Sequence, residues 1–153
     1  MSRAIHGLQH VGVSVASLDA ALAFWEPFLG ASARFRGTLS RPYLGQSVGY
    51  PGVTIEAALV DLPGGGLLEL LNYQVAERSQ NPEATANPGN VHICLAVSDA
   101  DAEWKAAVDL GARAVNPAGP VSIDAGPNEG ARACYLRIHD GVSLELFQAP
   151  PGR

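Results

Sequence analysis

Residues 8–33 read LQHVGVSVASLDAALAFWEPFLGASA, and residues 90–114 read NVHICLAVSDADAEWKAAVDLGARA. Each stretch starts within two residues of a histidine, runs through an apolar strand pattern, passes an Asp and closes a helix-like segment on Leu-Gly-Ala. With His10 laid on His92, the two match without a gap through Asp19 and Asp101, at a constant offset of 82. Leu29-Gly30-Ala31 then falls on Leu110-Gly111-Ala112 at an offset of 81. Later in each half, GGGLLELLN at 64–72 lies over DGVSLELFQ at 140–148, which sets Glu69 over Glu145 at an offset of 76. The offset shrinks because the intervening loops differ in length, as loops do. A repeat of this kind decides the architecture before any single element does.

Within the first half, residues 8–15 alternate as a strand. Ser17 or Asp19 caps a helix running to about Phe28, and Gly30 supplies its C-terminal glycine. SARFRGTLS, GVTIEAALVDL and LLELLNY read as three further strands, the last two joined by the turn PGGG. The second half repeats the order: strand 91–97, helix 99–110, then strands near 113–116, 131–138 and 142–148, with a turn at His139-Asp140-Gly141. The expected fold is α+β, built from two βαβββ modules at about 5–74 and 90–148 within a single domain spanning 1–153. The polar, Pro-containing segment 75–89 is the linker.

The chain has 153 residues, 47% of them hydrophobic and 16% charged, as suits a globular domain. A net charge of −5 with no basic run argues against nucleic acid as a partner. No apolar run approaches a membrane span, so no membrane partner is expected. The N-terminal residues lack a signal-peptide pattern, which makes the cytoplasm the expected location. In that reducing compartment Cys94 and Cys134 read as small buried thiols, although Cys94 shares a face with His92 by strand parity.

Strand parity also places His10 with Gly12 and Ser14, Glu69 with Leu67 and Leu71, and Glu145 with Ser143 and Phe147. Glu69 and Glu145 each stand mid-strand among apolar neighbours, where an unpaired carboxylate is costly. No Lys or Arg occupies a matching position beside both. Two histidines and two glutamates set by the repeat are a ligand set for one divalent metal ion. His6, near the terminus, and His139, in the turn, read as structural. Trp25 and Trp104 read as helix residues packed on the sheet.

On these residues the chain resembles the vicinal oxygen chelate superfamily, which includes glyoxalase I, methylmalonyl-CoA epimerase, extradiol dioxygenases and fosfomycin and bleomycin resistance proteins. The likeness runs from about Leu8 to Phe147 and is strongest in HICLAVSDADAEW, DLGARAV and YLRIHDGVSLELFQ. It implies an open, cup-shaped, eight-stranded mixed sheet. It also implies one divalent ion (Ni, Co, Mn, Zn or Fe) held by His10, Glu69, His92 and Glu145, a set similar to that of bacterial glyoxalase I. A homodimer is the family expectation. Bacterial glyoxalase I carries an Arg that holds glutathione where this chain has Ser14, so glutathione is not implied.

The implied activity is that of a lyase, isomerase or epimerase working through an enolate or enediolate on a small substrate with oxygens on neighbouring carbons. Glu145 or Glu69 would be the catalytic base, with Glu145 preferred. Arg36, Arg41, Tyr43, Tyr50, Asn72, Tyr73 and Asn128 are the candidate substrate-contacting residues. The Gly-rich segment 119–132 reads as a flap. Two other readings stay open. One is an Fe(II) extradiol ring-cleavage dioxygenase; the other is a non-catalytic protein that sequesters a ligand.

Overall fold

The structure is a computed structural model and describes residues 4–79 and 83–152. The expected linker 75–89 therefore includes three residues, 80–82, outside the described ones. The chain divides into two compact units between Arg78 and Ser79, inside that linker. Both units combine helices with mixed sheets, so the fold class is α+β as the sequence implied.

The first unit contains β1 (Val11–Ser14), α1 (Leu18–Leu29), β2 (Phe35–Leu39), α2 (Pro42–Val48), β3 (Thr54–Asp61) and β4 (Leu67–Gln74). Its sheet has the order β1-β4-β3-β2 and is open, with β1 and β2 at the edges. The β1–β4 pair is parallel, and the other two pairs are antiparallel. Helix α1 starts where the Ser17 hydroxyl accepts the Ala20 amide at 3.2 Å. It ends at Gly30, whose φ of 63° is the left-handed conformation that glycine adopts without strain. Leu18, Ala21, Leu22 and Trp25 recur at helical spacing and are all buried. The sequence placed Trp25 on the sheet-packing face of this helix, and it is fully buried there.

The second unit contains β5 (His92–Ala96), α3 (Ala100–Asp109), β6 (Arg113–Ala114), β7 (Val121–Ser122), β8 (Arg132–Arg137), a 3-10 turn (His139–Gly141) and β9 (Ser143–Gln148). The main path of the sheet is β5-β9-β8-β6, with β7 also paired to β8. β5–β9 is parallel, repeating β1–β4. The Asp99 carboxylate accepts the amides of Asp101 and Ala102 and caps α3. Asp99 stands exactly 82 residues after Ser17, so the repeat extends to the helix caps.

Three features differ from the sequence reading. Helix α2 was not expected: it is seven residues long, contains Gly45 and has no side-chain cap, so its local marks are Pro42 in its first turn and the left-handed Gly49 at its end. Tertiary packing supplies its stability, through Leu44 clustered with Val53, Ile55 and Ala57. Strand β7 was read as part of a flap. Here Val121 and Ser122 pair with Ala133 and Arg132, and Ile123 and Gly130 continue the pairing through backbone hydrogen bonds. Finally, Cys94 is exposed, while Cys134 is buried as expected. Among the described residues, no helix is long and apolar enough to cross a membrane.

Candidate metal centre

In the first unit, His10 sits immediately ahead of β1, and Glu69 lies opposite Gly12 across the parallel β1–β4 pair. His10 Nε2 stands 3.3 Å from Glu69 Oε2. In the second unit, His92 opens β5, and Glu145 lies opposite Cys94 across the parallel β5–β9 pair. His92 Nε2 stands 2.9 Å from Glu145 Oε2. In both cases the carboxylate faces the residue two beyond the histidine. The same register has been built twice.

The donor chemistry of each pair fits a divalent cation. Two ligand atoms about 2.1 Å from an ion are about 3.0 Å apart at right angles and about 3.4 Å apart at the tetrahedral angle. Both pairs fall in or beside that range. The His10 Nδ1 is hydrogen-bonded to the Gln9 side chain, which holds the ring with its Nε2 toward the Glu69 carboxylate. Among the described residues, no group of three or more His, Cys, Asp or Glu side chains is assembled for a metal ion. Each unit brings together two of the four expected ligands.

The surroundings of the two pairs differ. Glu145 accepts the Tyr135 hydroxyl at 3.1 Å, and the Tyr135 ring meets the His92 ring edge-on with centroids 5.2 Å apart. The Cys94 thiol also donates to Glu145. Burial, and then the Glu145 charge and that hydrogen bond, push the thiol up to about 11. Burial and Glu145 likewise raise the Tyr135 phenol above its ordinary value. Around Glu69, Gly12 and Leu59 occupy the equivalent register positions. One row further on the same face, Arg137 hydrogen-bonds Ser143, which lies opposite His92; Arg137 and Ser143 are both buried. Sequence reasoning passed over Tyr135. The offset of 76 that lays Glu69 on Glu145 also lays Leu59 on Tyr135, and was the available signal.

The expected substrate-contacting residues separate by strand face. Tyr73 shares the Glu69 face, and its ring meets that of Tyr50 at 6.0 Å. Burial, then Glu69 and Tyr50, raise the Tyr73 phenol above its usual value. Helix α2 packs on this same face, over Ile55, Ala57, Leu71 and Tyr73. Asn72 points to the opposite face, where its amide donates to Glu56 at 2.9 Å and its carbonyl accepts from Arg78 at 2.8 Å. Arg36 is also on that opposite face and is paired with Asp19 of α1. Arg41 and Tyr43 are exposed at the start of α2, and Asn128 is exposed in the loop between β7 and β8.

A family model described as the Glyoxalase/Bleomycin resistance protein/Dioxygenase superfamily matches residues 9–135. The chain belongs to this superfamily. A glyoxalase family protein from Bacillus cereus shares the fold with a TM-score of 0.77 and 24% identity, over 97% of this chain and 99% of that one. A mutant of the fosfomycin resistance protein FosX from Listeria monocytogenes, complexed with Mn(II) and dihydroxypropylphosphonic acid, has a TM-score of 0.59 and 17% identity. That match covers 93% of this chain and 89% of that one. The superfamily member described here is also 32% identical over 111 residues to ribosomal RNA small subunit methyltransferase G of Bradyrhizobium sp. (strain ORS 278). That match covers 69% of this chain and 49% of that protein. The chain thus spans about half the length of the curated relatives it matches.

Proposed function

We propose that this protein is a divalent-metal-dependent enzyme of the glyoxalase type, acting as a lyase, isomerase or epimerase on a small substrate with oxygens on neighbouring carbons. In this reading the two units form one domain, and His10, Glu69, His92 and Glu145 hold a single ion. The observation that carries it is the duplicated register, in which each histidine is set against a carboxylate facing the residue two positions along. FosX, with Mn(II) and a dihydroxy phosphonate, shows the kind of ligand the superfamily fold accommodates. The methyltransferase likeness adds no nucleic-acid proposal, because an acidic chain without a basic run offers phosphates little.

When bound, a divalent ion supplies Lewis acidity toward the oxygens of a chelating substrate. The remaining work falls to side chains of this chain. His10 and His92 would each offer Nε2 to the ion, with the His10 ring oriented by its hydrogen bond to Gln9. A ligating carboxylate, Glu69 or Glu145, takes the proton alpha to the substrate carbonyl, and the C–H electron pair moves onto the carbonyl oxygen to leave an enolate. The carboxyl group then returns the proton to the same or the adjacent carbon. Tyr50 and Tyr73 contribute an aromatic surface on the Glu69 face for the apolar part of the substrate. A small molecule is the partner in this proposal, and the enzyme is placed in the cytoplasm as a homodimer.

Metal analysis of protein purified without chelator tests the reading directly. About one ion per chain is expected, lost in the His10→Ala and His92→Ala variants alike. Protein that stays empty in Ni, Co, Mn, Zn and Fe solutions overturns it. Two ions per chain would mean that each pair binds by itself, and would overturn the shared site.

A further inference from the structure

Among the described residues, Arg34, Arg36, Arg113 and Arg132 each pair with an Asp or Glu, and all four are at least partly exposed. Arg137 is different. It is only 7% exposed, it donates to the hydroxyl of Ser143, which is 2% exposed, and no described carboxylate stands within ion-pair distance of it. The residues outside the described ones include no Asp or Glu. A hydroxyl does not neutralise a guanidinium, and a buried charge without a counter-charge is heavily penalised. The neighbouring strand deepens the imbalance: Arg113 lies directly opposite Arg137 across β6 and β8, and its own partner is Glu83. One carboxylate thus serves two facing guanidiniums, and like charges directly opposite are destabilising. The row lacks one negative charge.

That missing charge falls beside the His92–Glu145 pair of the second unit. Arg137, Ser143 and His92 form one cross-strand row, and Tyr135, Glu145 and Cys94 form the next row on the same face. Such rows are about 7 Å apart. Helix α3 is tied to the other face, where Ala100 and Asp101 meet Gln148 and Arg132. A guanidinium presents paired N–H groups whose spacing matches a carboxylate. We propose that Arg137 receives a carboxylate of the substrate, with Ser143 holding the guanidinium in place. One carboxylate supplies the single charge the row lacks, whereas a doubly charged phosphate overshoots it. Resting on the metal-dependent reading above for the rest of the ligand, this makes the substrate a small acid whose vicinal oxygens lie within about 7 Å of its carboxylate.

Calorimetric titration of the metal-free full chain tests this. The wild type is expected to bind 2-hydroxybutanoate at least about tenfold more tightly than butane-1,2-diol, which keeps the carbon chain and lacks the charge. Inorganic phosphate is expected to bind more weakly than the acid. Arg137→Met keeps much of the side-chain volume and removes the charge. It is expected to lose the preference for the acid, while its melting temperature without ligand stays at or above that of the wild type, because an uncompensated charge has gone. Arg137→Lys, which keeps the charge without the fork, is expected to retain part of the preference. A wild type that binds acid and diol alike, or an Arg137→Met that keeps the preference, overturns the site. An Arg137→Met that melts well below the wild type makes the guanidinium a structural partner of Ser143 and also overturns it. Phosphate binding ahead of the acid overturns the carboxylate assignment. Because these titrations contain no metal, Arg137-dependent binding in a protein that takes up no divalent ion leaves this site standing while the metal reading falls.

Discussion

Asn72 and Glu56 lie directly opposite each other on β4 and β3, and the Asn72 amide donates to the Glu56 carboxylate at 2.9 Å. Gln74 donates to the same Glu56 oxygen at 3.3 Å, and Arg78 donates to the Asn72 carbonyl at 2.8 Å and to the Val15 carbonyl. Asn72 is the buried centre of a polar strut that ties the last residues of the first unit to the end of β1. Replacing it with Ala leaves Glu56 and Arg78 short of partners, at a cost of about 1–3 kcal/mol in unfolding free energy. Because Asn72 faces away from Glu69, metal affinity should not move. Denaturant melts and metal titrations of Asn72→Ala check both halves; lost metal binding at unchanged stability would show the side chain serving the site instead.

Cys94 is exposed as a residue, but its thiol is partly buried beside Glu145, and that burial, then the Glu145 charge, push it up to about 11. Metal-free protein at pH 8 should therefore react with iodoacetamide at least about tenfold more slowly at Cys94 than an ordinary thiol does. The rate should climb steadily as the pH approaches 11. Glu145→Gln removes the charge and should speed alkylation near neutrality. Rapid labelling of the wild type at pH 7 would contradict the contact between Cys94 and Glu145.

His139 is held below its ordinary range by burial, a shift only partly offset by Asp140 at 3.5 Å. Between its folded value and the ordinary value of 6.5, the unfolded chain binds more protons than the folded one at this site. Stability from this group is then complete above about pH 6.5 and declines as the pH falls below it. The melting temperature of His139→Asn should fall less than that of the wild type between pH 7.5 and pH 5. Parallel curves for the two proteins would remove His139 from the acid response.

Gly45 of α2 is closed in by the backbone that follows. A Cβ there would stand 2.8 Å from the Tyr50 carbonyl oxygen and 3.0 Å from both Pro51 Cα and Gly52 N. Gly45→Ala must push the helix and this turn apart, at a cost of about 1–3 kcal/mol. Since Tyr50 then loses its place beside Tyr73, protease sensitivity between residues 41 and 52 should rise along with the loss of stability. A variant as stable and as resistant as the wild type would show that the close approach is not needed.

The sequence showed the duplicated modules and most of their strands because strand alternation and helix caps are local signals. Ser17 and Asp99 cap their helices at repeat-related positions; the alternation around Glu69 and Glu145 set only their same-strand neighbours, and the parallel pairing put each carboxylate on the face of its histidine. Parity along β4 already sets Tyr73 on the Glu69 face and Asn72 on the other, and the β3–β4 register keeps them there. What charge alone could not tell is the partner of Arg36: it suggested a ligand contact, but the side chain pairs with Asp19 of α1.

Thus the order of residues alone determined that this chain is two copies of one module, each carrying a histidine on its first strand and a glutamate on its last. That much follows from periodicity and spacing, which act along the chain. Helix α2 and the different company of the two glutamates were decided only on folding. The first exists because Leu44 finds an apolar cluster. The second arises because strand pairing sets Tyr135 and Cys94 beside Glu145, but Leu59 and Gly12 beside Glu69. The offset of 76 relates Leu59 to Tyr135 as it relates the two glutamates, but only strand pairing shows that these residues lie beside the carboxylates.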